Sequence, residues 1–326
     1  MRLLSFPKIF WALLAFSFIF SLSDVMALAN DSEERRVAVV AGLPDSQKGW
    51  PGYLRSLTDL MSSKLSVQTR LVFNPLADGI LAANRLSLAN LDGSLLGVLP
   101  MVAMATRVAE DRTPYVLDDF EPLLLAETVP FALLAGPKAP FNNLSSLKAF
   151  AKSGQITFWR AGLDPIALGD LLAYGLFRDL GLKPNLVFKA TLDPKFLAQD
   201  PTALMVKPLD ELDLGLNHYK IVAVLTDVYA GPCAPAGLDL RSQNYLSQVH
   251  DYMGFYYPKG TILEVTDKTT AALITALTEP SALELASKNC LATGPKGPVA
   301  FSSHRAAEFL AQEIDAQRQL IESLRP

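Results

Sequence analysis

The stretch ITFWRAGLDPIALGDLL, residues 156–172, sets an arginine, Arg160, between an apolar strand-like run and a helical one. Asp164 can cap that helix by accepting hydrogen bonds from the amides of its first turn, and Pro165 suits the first helical position. Amides at a helix start favour an anion. If Asp164 takes up part of that capacity, Arg160 can supply the charge for a carboxylate through a two-pronged hydrogen-bonded pair. The plainer alternative is that Arg160 pairs with Asp164 or lies on the surface. Trp159 either lines the same opening or packs beneath the turn that contains Gly162.

Catalytic chemistry has no comparable focus. His218, His250 and His304 fall in segments that read as a helix end, a loop and the C-terminal helix, and none lies at a strand–helix turn. G-x-S-x-G, H-E-x-x-H and P-loop patterns are absent, so neither a hydrolase nor a cofactor is indicated. Cys233 and Cys290 form no CxxC and no Cys/His cluster, which argues against zinc. In an oxidising compartment they can pair, or they can remain two buried thiols; the spacing does not decide.

The elements that must position these residues belong to a chain of 326 residues, 50% hydrophobic and 19% charged. That suits a large core divided between two lobes. The mean hydropathy, +0.23, is raised by the first segment. Arg2 and Lys8 precede the apolar run IFWALLAFSFIFSL, and ALA follows at 27–29. This is the form of a secretory signal peptide cut after Ala29, with an apolar run shorter than the roughly 20 residues of a spanning helix. No cysteine follows to carry a lipid. Removing residues 1–29 takes away Arg2, Lys8 and Asp24 and moves the net charge from −4 to −5. Binding to nucleic acid needs a basic surface, so that partner is excluded.

Beyond the leader, RRVAVVAGL reads as a strand, PDSQKGWPG as a loop, YLRSLTDLMSSKL as a helix and VQTRLVFN as a strand; a helix at ILAANRLSLAN and a strand at GSLLGVLP follow. The alternation predicts a parallel sheet covered by helices. It resumes after residue 120. LLLAETVPFALLAGP reads as one long or broken strand, and LSSLKAFAK as a helix capped by Asn143. QITFWR is a strand, the helix from Pro165 runs to about Leu180 with Gly181 as its stop, and NLVFK, TALMVK and KIVAVLT are strands. YMGFYYPKG is strand-like and is followed by two amphipathic helices, DKTTAALITALTE and SSHRAAEFLAQEIDAQRQLIESL. The chain thus crosses between two α/β lobes near 127–135 and again near 250–258. One lobe takes 30–128 plus 255–326 and the other takes 129–254. Such a pair is the architecture of a hinged binding protein, with a cleft where strand ends and helix starts converge.

DGSLLG (92–97), PYVLDDFEPL (114–123), VPFALLAGP (129–137) and YMGFYYPKGT (252–261) occur in that order. They resemble motifs of the substrate-binding proteins of tripartite tricarboxylate transporters, the Bug-type solute receptors. Those proteins show DGYTLL, then PYD with DFxP, then a strand ending in G-x-x-x-P-x-G-T. Gly254, Pro258, Gly260 and Thr261 match the last of these. The resemblance implies a monomeric periplasmic receptor of two mixed or parallel α/β lobes, like a type II periplasmic binding protein. It implies a small organic acid as ligand and membrane permease subunits as partners.

The implied ligand contacts fall on residues that depart from the family pattern. The first loop, usually glycine-rich, is here Pro44, Asp45, Ser46, Gln47, Lys48, Gly49, Trp50; Asp45, Ser46, Gln47 and Trp50 are its candidates. After the DGYTLL position, small polar residues give way to Pro100 and Met101, which offer no side-chain donor. The third contact is the turn of Trp159, Arg160, Gly162 and Asp164. Lys207 stands where the family ends a strand in Asp or Asn and can hold a second carboxylate. Asn74 matches a family Asn after the second strand, in a turn-stabilising place. These departures leave open a receptor-like protein that signals to a membrane sensor, or one that binds no small ligand.

Overall fold

Strand β1 (Arg36–Ala41) is a valine-rich run buried on both faces, the pattern of a strand inside a covered sheet. In this computed structural model the described residues are 36–76, 79–160, 168–213, 217–226, 233–245, 252–291 and 299–324. The expected signal segment, Gly162 and Asp164 lie outside them. Both sheets described below belong to one compact unit, Val37–Pro326.

The first lobe is built on a six-stranded sheet. It contains β1, β2 (Gln68–Phe73), β3 (Leu95–Pro100), β4 (Phe120–Glu127), β10 (Tyr252–Pro258) and β11 (Val299–Ser302), in the order β11-β4-β10-β3-β1-β2. β1 and β3 pair in parallel, whereas β10 runs antiparallel to both β3 and β4. The sheet is therefore mixed rather than parallel, because β10 returns late in the chain to its centre. Every residue of β10 is buried, and the Tyr257 hydroxyl meets Thr269 Oγ1 at 3.1 Å.

Helices α1 (Gly49–Leu65), α2 (Ile80–Ser87), α3 (Met101–Ala109), α6 (Leu263–Thr278), α7 (Pro280–Lys288) and α8 (Ser303–Leu324) belong to this lobe. Helix α1 begins at Gly49, four residues before the expected start, so the first loop ends at Lys48. Helix α6 likewise begins at Leu263, before the expected Asp267. Helices α3 and α7 and strand β11 are not legible as periodic segments. Helix α3 follows β3 with no turn between them, Pro100 ending the strand and capping the helix, so the two read as one run, and α7 begins directly after α6 with Pro280 at its first position.

The second lobe holds β5 (Phe131–Ala135), β6 (Thr157–Arg160), β7 (Asn185–Phe188), β8 (Ala203–Pro208) and β9 (Lys220–Val224), in the order β7-β6-β8-β5-β9. β6 pairs in parallel with β7 and β8, and β5 antiparallel with β8 and β9. The apolar run over 123–137 is thus two strands in two sheets. It breaks at Thr128–Val129–Pro130, where Pro130 has no N–H for a ladder. Helix α4 (Leu144–Phe150) starts as expected: the Asn143 side chain accepts a hydrogen bond from the Ser146 amide at 2.8 Å. The described part of the next helix is α5 (Leu168–Leu180), which ends at Gly181 with φ +68°.

Cys233 and Cys290 form a disulfide with their Cα atoms 5.4 Å apart. Helix α7 ends in a Schellman motif: the Leu291 amide donates to Ala286 O at 3.0 Å and the Cys290 amide to Ser287 O at 3.2 Å. Cys290 takes the left-handed position, φ +59°, that such a motif usually gives to glycine. Cys233 opens a segment fastened to the second lobe, where Val224 N donates to Leu238 O at 2.7 Å and Leu240 N to Thr226 O at 2.9 Å. The bridge therefore ties a second-lobe segment to the helical layer of the first lobe.

Candidate functional site

Where the carboxyl ends of β1 and β3 face the end of β8, a cleft of about 510 Å³ opens. The first lobe supplies Pro44, Ser46 and Lys48 from the first loop, Trp50 and Pro51 from α1, Pro100 from the end of β3, and Met253. The second lobe supplies Phe131, Leu168, Pro208, Asp210 and Glu211, and Thr128 and Val129 form the floor where the chain crosses.

The first-lobe wall is held by its own helix. Arg55, in the second turn of α1, donates to the Ser46 carbonyl and pairs with the Asp45 carboxylate. The Ser46 hydroxyl accepts from the Lys48 amide at 3.1 Å. Asp45 and Gln47 are exposed and do not line the cleft. Ser46 and Trp50 do, although Trp50 is mostly core, edge-on to Tyr53 at 5.3 Å and to Phe255 at 6.0 Å. Pro100 reaches the cleft, whereas Met101 is fully buried. Asn74 continues the β1–β2 pairing through its amide, which donates to Ala41 O at 2.8 Å.

The second-lobe wall is a 3-10 turn, Leu209–Glu211, directly after β8. The Leu209 amide donates to Pro130 O at 2.9 Å and fixes the turn to the crossing segment. The turn aims Asp210 at the start of α1, and a Cβ on Gly49 would collide with the Asp210 carboxylate. Gly49 also has φ +59°, so its conformation favours glycine, while a Cβ there would require the Asp210 side chain to turn aside. Burial, reinforced by the charge of Glu211, raises the pKa of Asp210, and Lys48 opposes that rise. Lys207, off the lining, pairs with Glu211 at 3.2 Å. Nothing in the sequence marks these cleft carboxylates, since DELD reads as a solvated turn; the only signal is its place directly after a strand.

Arg160 sits elsewhere. Successive strand residues face opposite ways, and Phe158 packs on Tyr174 and Phe177 of α5 at 5.7 and 5.2 Å. Arg160 therefore faces α5 as well. It is 7% exposed, paired through Nε with Asp170 Oδ2 at 3.4 Å, with Tyr174 and Phe188 ring centres 5.7 and 5.2 Å from its guanidinium carbon. Burial raises the Asp170 pKa to about 6 even though Arg160 pulls it down. Trp159 points the other way, into a separate hollow of about 630 Å³ with Lys189 Nζ 4.5 Å from its ring centre. The cleft thus gathers Ser46, Trp50 and Pro100 but not Trp159 or Arg160.

Among the described residues no cluster of three or more His, Cys, Asp or Glu could hold a metal ion, and no helix is long and apolar enough to cross a membrane. His218 is exposed and His304 pairs with Glu308 on α8 at 3.3 Å. No protein-family model matches the chain. No curated protein matches it in sequence. Solved structures do. A TctC solute-binding protein from Polaromonas is similar with a TM-score of 0.72 and 19% identity, over 90% of this chain and 100% of that one. The periplasmic binding protein BugD follows at 0.66 and 21%, over 89% and 97%. MatC from Rhodopseudomonas palustris, with bound malate, aligns at 0.62 and 21%, over 88% and 99%. The chain has the two-lobed α/β fold of these periplasmic solute-binding proteins.

Proposed function

We propose that this chain is a divergent member of the tripartite tricarboxylate solute receptors. It is exported by its leader, takes a small carboxylate-containing ligand between its lobes and hands it to a membrane permease. The observation that carries this reading is the cleft itself. Its first-lobe wall is the strand–helix loop Pro44–Lys48 with Pro100, and the matching solved structures are covered almost end to end, one of them holding malate. Ser46, Trp50 and Pro100 line the ligand from the first lobe, and Lys207 acts through Glu211 on the other wall. The lobes close about Thr128–Pro130, where the chain passes from β4 to β5. The reading is of a binding protein: the named neighbours are binding proteins, and no histidine or cysteine is among the described residues of the cleft.

A second reading, a receptor-like protein that signals to a membrane sensor or has given up small ligands, draws on the carboxylates Asp210 and Glu211 in the cleft. Melting the mature chain against mono- and dicarboxylates, aromatic acids and amino acids separates the two, since a ligand that binds only the folded form raises Tm by mass action. A rise of several degrees with one class of acid supports the transport receptor. No rise with any acid at millimolar concentration removes it.

A further inference from the structure

The two faces of β6 are covered unequally. Helix α5 lies over the face of Phe158 and Arg160. Over the face of Thr157 and Trp159, toward the β7 edge of the sheet, lie only the 3-10 turn Pro194–Gln199 and the residues that follow β7. Between these and the sheet is the hollow of about 630 Å³. Its polar groups are mostly donors without protein acceptors. Trp159 is 5% exposed, and its indole N–H makes no hydrogen bond among the described residues and is not enclosed, so it opens to the hollow. The Lys189 ammonium rests 4.5 Å from the centre of that ring and forms no ion pair among the described residues. The Thr157 hydroxyl and the Gln199 amide line the same wall and also bond to no described residue. Val187 and Phe196, the latter 45% exposed, add an apolar side. The carboxylate among the described lining residues, Asp200, is anchored at the other end, where its Oδ1 accepts from the Thr202 amide at 2.9 Å and hydroxyl at 2.8 Å. Thr202 O receives the Thr157 amide at the start of β6, whereas the Lys189 amide donates to Arg160 O at its end. Three residues of strand, about 10 Å, separate those two anchor points.

We infer that this hollow is a second ligand site, apart from the cleft: it takes a small monocarboxylate with an apolar body, the carboxylate at Lys189 and the Trp159 N–H, the body over Val187 and Phe196. A concave wall that joins apolar surface to a few converging donors suits such a molecule. The carboxylate displaces no protein acceptor from either donor, and its bond to the ammonium is charge-assisted. The indole ring beneath Lys189 holds the ammonium in place by cation–π attraction and shields one side of it from water. A ligand amine in the same position meets Lys189 as a like charge, and a second carboxylate at the far end meets Asp200. The inference does not depend on the receptor reading, because the two cavities share none of their lining residues.

The chain beyond residue 29 has two tryptophans, Trp50 at the cleft and Trp159 at the hollow, so 5-fluorotryptophan labelling gives one fluorine NMR signal from each. Trp159→Phe assigns them. The mature chain is titrated with phenylacetate and cyclohexylacetate, and with phenylacetamide and 2-phenylethylamine, which keep the apolar body and change the head group. The expected result is a saturable shift of the Trp159 signal with both acids, and at least about tenfold weaker binding of the amide and the amine. Lys189→Met, which keeps an apolar stem over the ring, lowers the affinity of the acids by about tenfold with an unchanged melting temperature. No saturable shift of the Trp159 signal at millimolar acid, equal binding of acid and amide, or an affinity indifferent to Lys189→Met overturns the second site. An acid that shifts only the Trp50 signal overturns it as well and leaves the receptor reading standing. A response confined to Trp159 supports the second site and gives the receptor reading nothing.

Discussion

Arg160 and Lys48 are both cations carried where the chain leaves a strand's carboxyl end, and the fold uses them in opposite ways. Arg160 ends β6 on the face turned toward α5, is 7% exposed and is matched by Asp170 and two rings. Lys48 stands one residue before α1, is exposed and lines the cleft. The start of α1 beside Lys48 favours an anion. What differs is which wall the strand's alternation presents. A cation at a strand's end is a binding group only where its strand or loop opens to a cavity; otherwise it becomes half of a buried pair.

The sharpest way to break that comparison is to remove one partner from the buried pair. Arg160→Ala leaves the Asp170 carboxylate uncompensated, and Asp170→Asn does the same to the guanidinium. Each is expected to cost about 3–5 kcal/mol in denaturant unfolding, because burial without a counter-charge is far more costly than an exposed loss. Replacing both together by apolar residues of similar volume recovers most of that cost. The sign of the pH dependence follows from the Asp170 pKa, which is raised from 3.8 to about 6 on folding. The folded form binds this proton more tightly than the unfolded one, so its contribution to stability falls as pH rises across that window. Asp170→Asn flattens the slope; a slope that persists in the variant assigns it to another group.

The next effect belongs to the contact between lobes. The Cys233–Cys290 bridge, with a sequence separation of 57, restrains the unfolded chain and ties the lobes together. Cys290→Ser is expected to cost about 2–4 kcal/mol. If ligand closure needs the lobes to separate further than the bridge allows, the reduced protein also shows a faster ligand on-rate in stopped flow. An unchanged on-rate places the bridge outside the moving part. Gly49→Ala comes third, at about 2 kcal/mol, since it adds a left-handed alanine and a clash with Asp210. Pairing it with Asp210→Gly should return only the steric part, and additivity of the two changes would mean that they do not touch.

These same residues show what the sequence could and could not disclose. The strand–helix alternation, the Asn143 cap and the Gly181 stop depend on local chemistry, and each is found where it was expected. The strand–helix alternation alone predicts parallel pairing, and mixed sheets entered only through the family resemblance, because the antiparallel place of β10 is set by a partner more than one hundred residues away. Helix α3 was hidden because it follows β3 with no intervening turn. In the site, Ser46 and Pro100 could be placed on the cleft because strand ends converge there whatever their composition. Arg160 and Trp159 were harder, since a shift of one residue along β6 exchanges the two faces. Asp210 and Glu211 were out of reach: nothing in DELD says that its turn meets the start of α1, a contact made only when the second lobe packs on the first.

The smallest expected stability effect sharpens the comparison from the other side. Lys48→Ala removes an exposed charge with no ion pair among the described residues and should change unfolding stability by no more than about 0.5 kcal/mol. Its effect should appear in binding instead. If Lys48 and the start of α1 together receive a ligand carboxylate, the variant loses roughly tenfold in affinity for whichever acid raises Tm in the wild type, and the loss shrinks as salt is added. Arg160 offers the control, because Arg160→Met paired with Asp170→Leu should alter stability and leave that affinity unchanged. Should the buried pair prove to govern affinity and Lys48 prove silent, the assignment of walls would be inverted, and the ligand would have to lie on the α5 side of the second-lobe sheet.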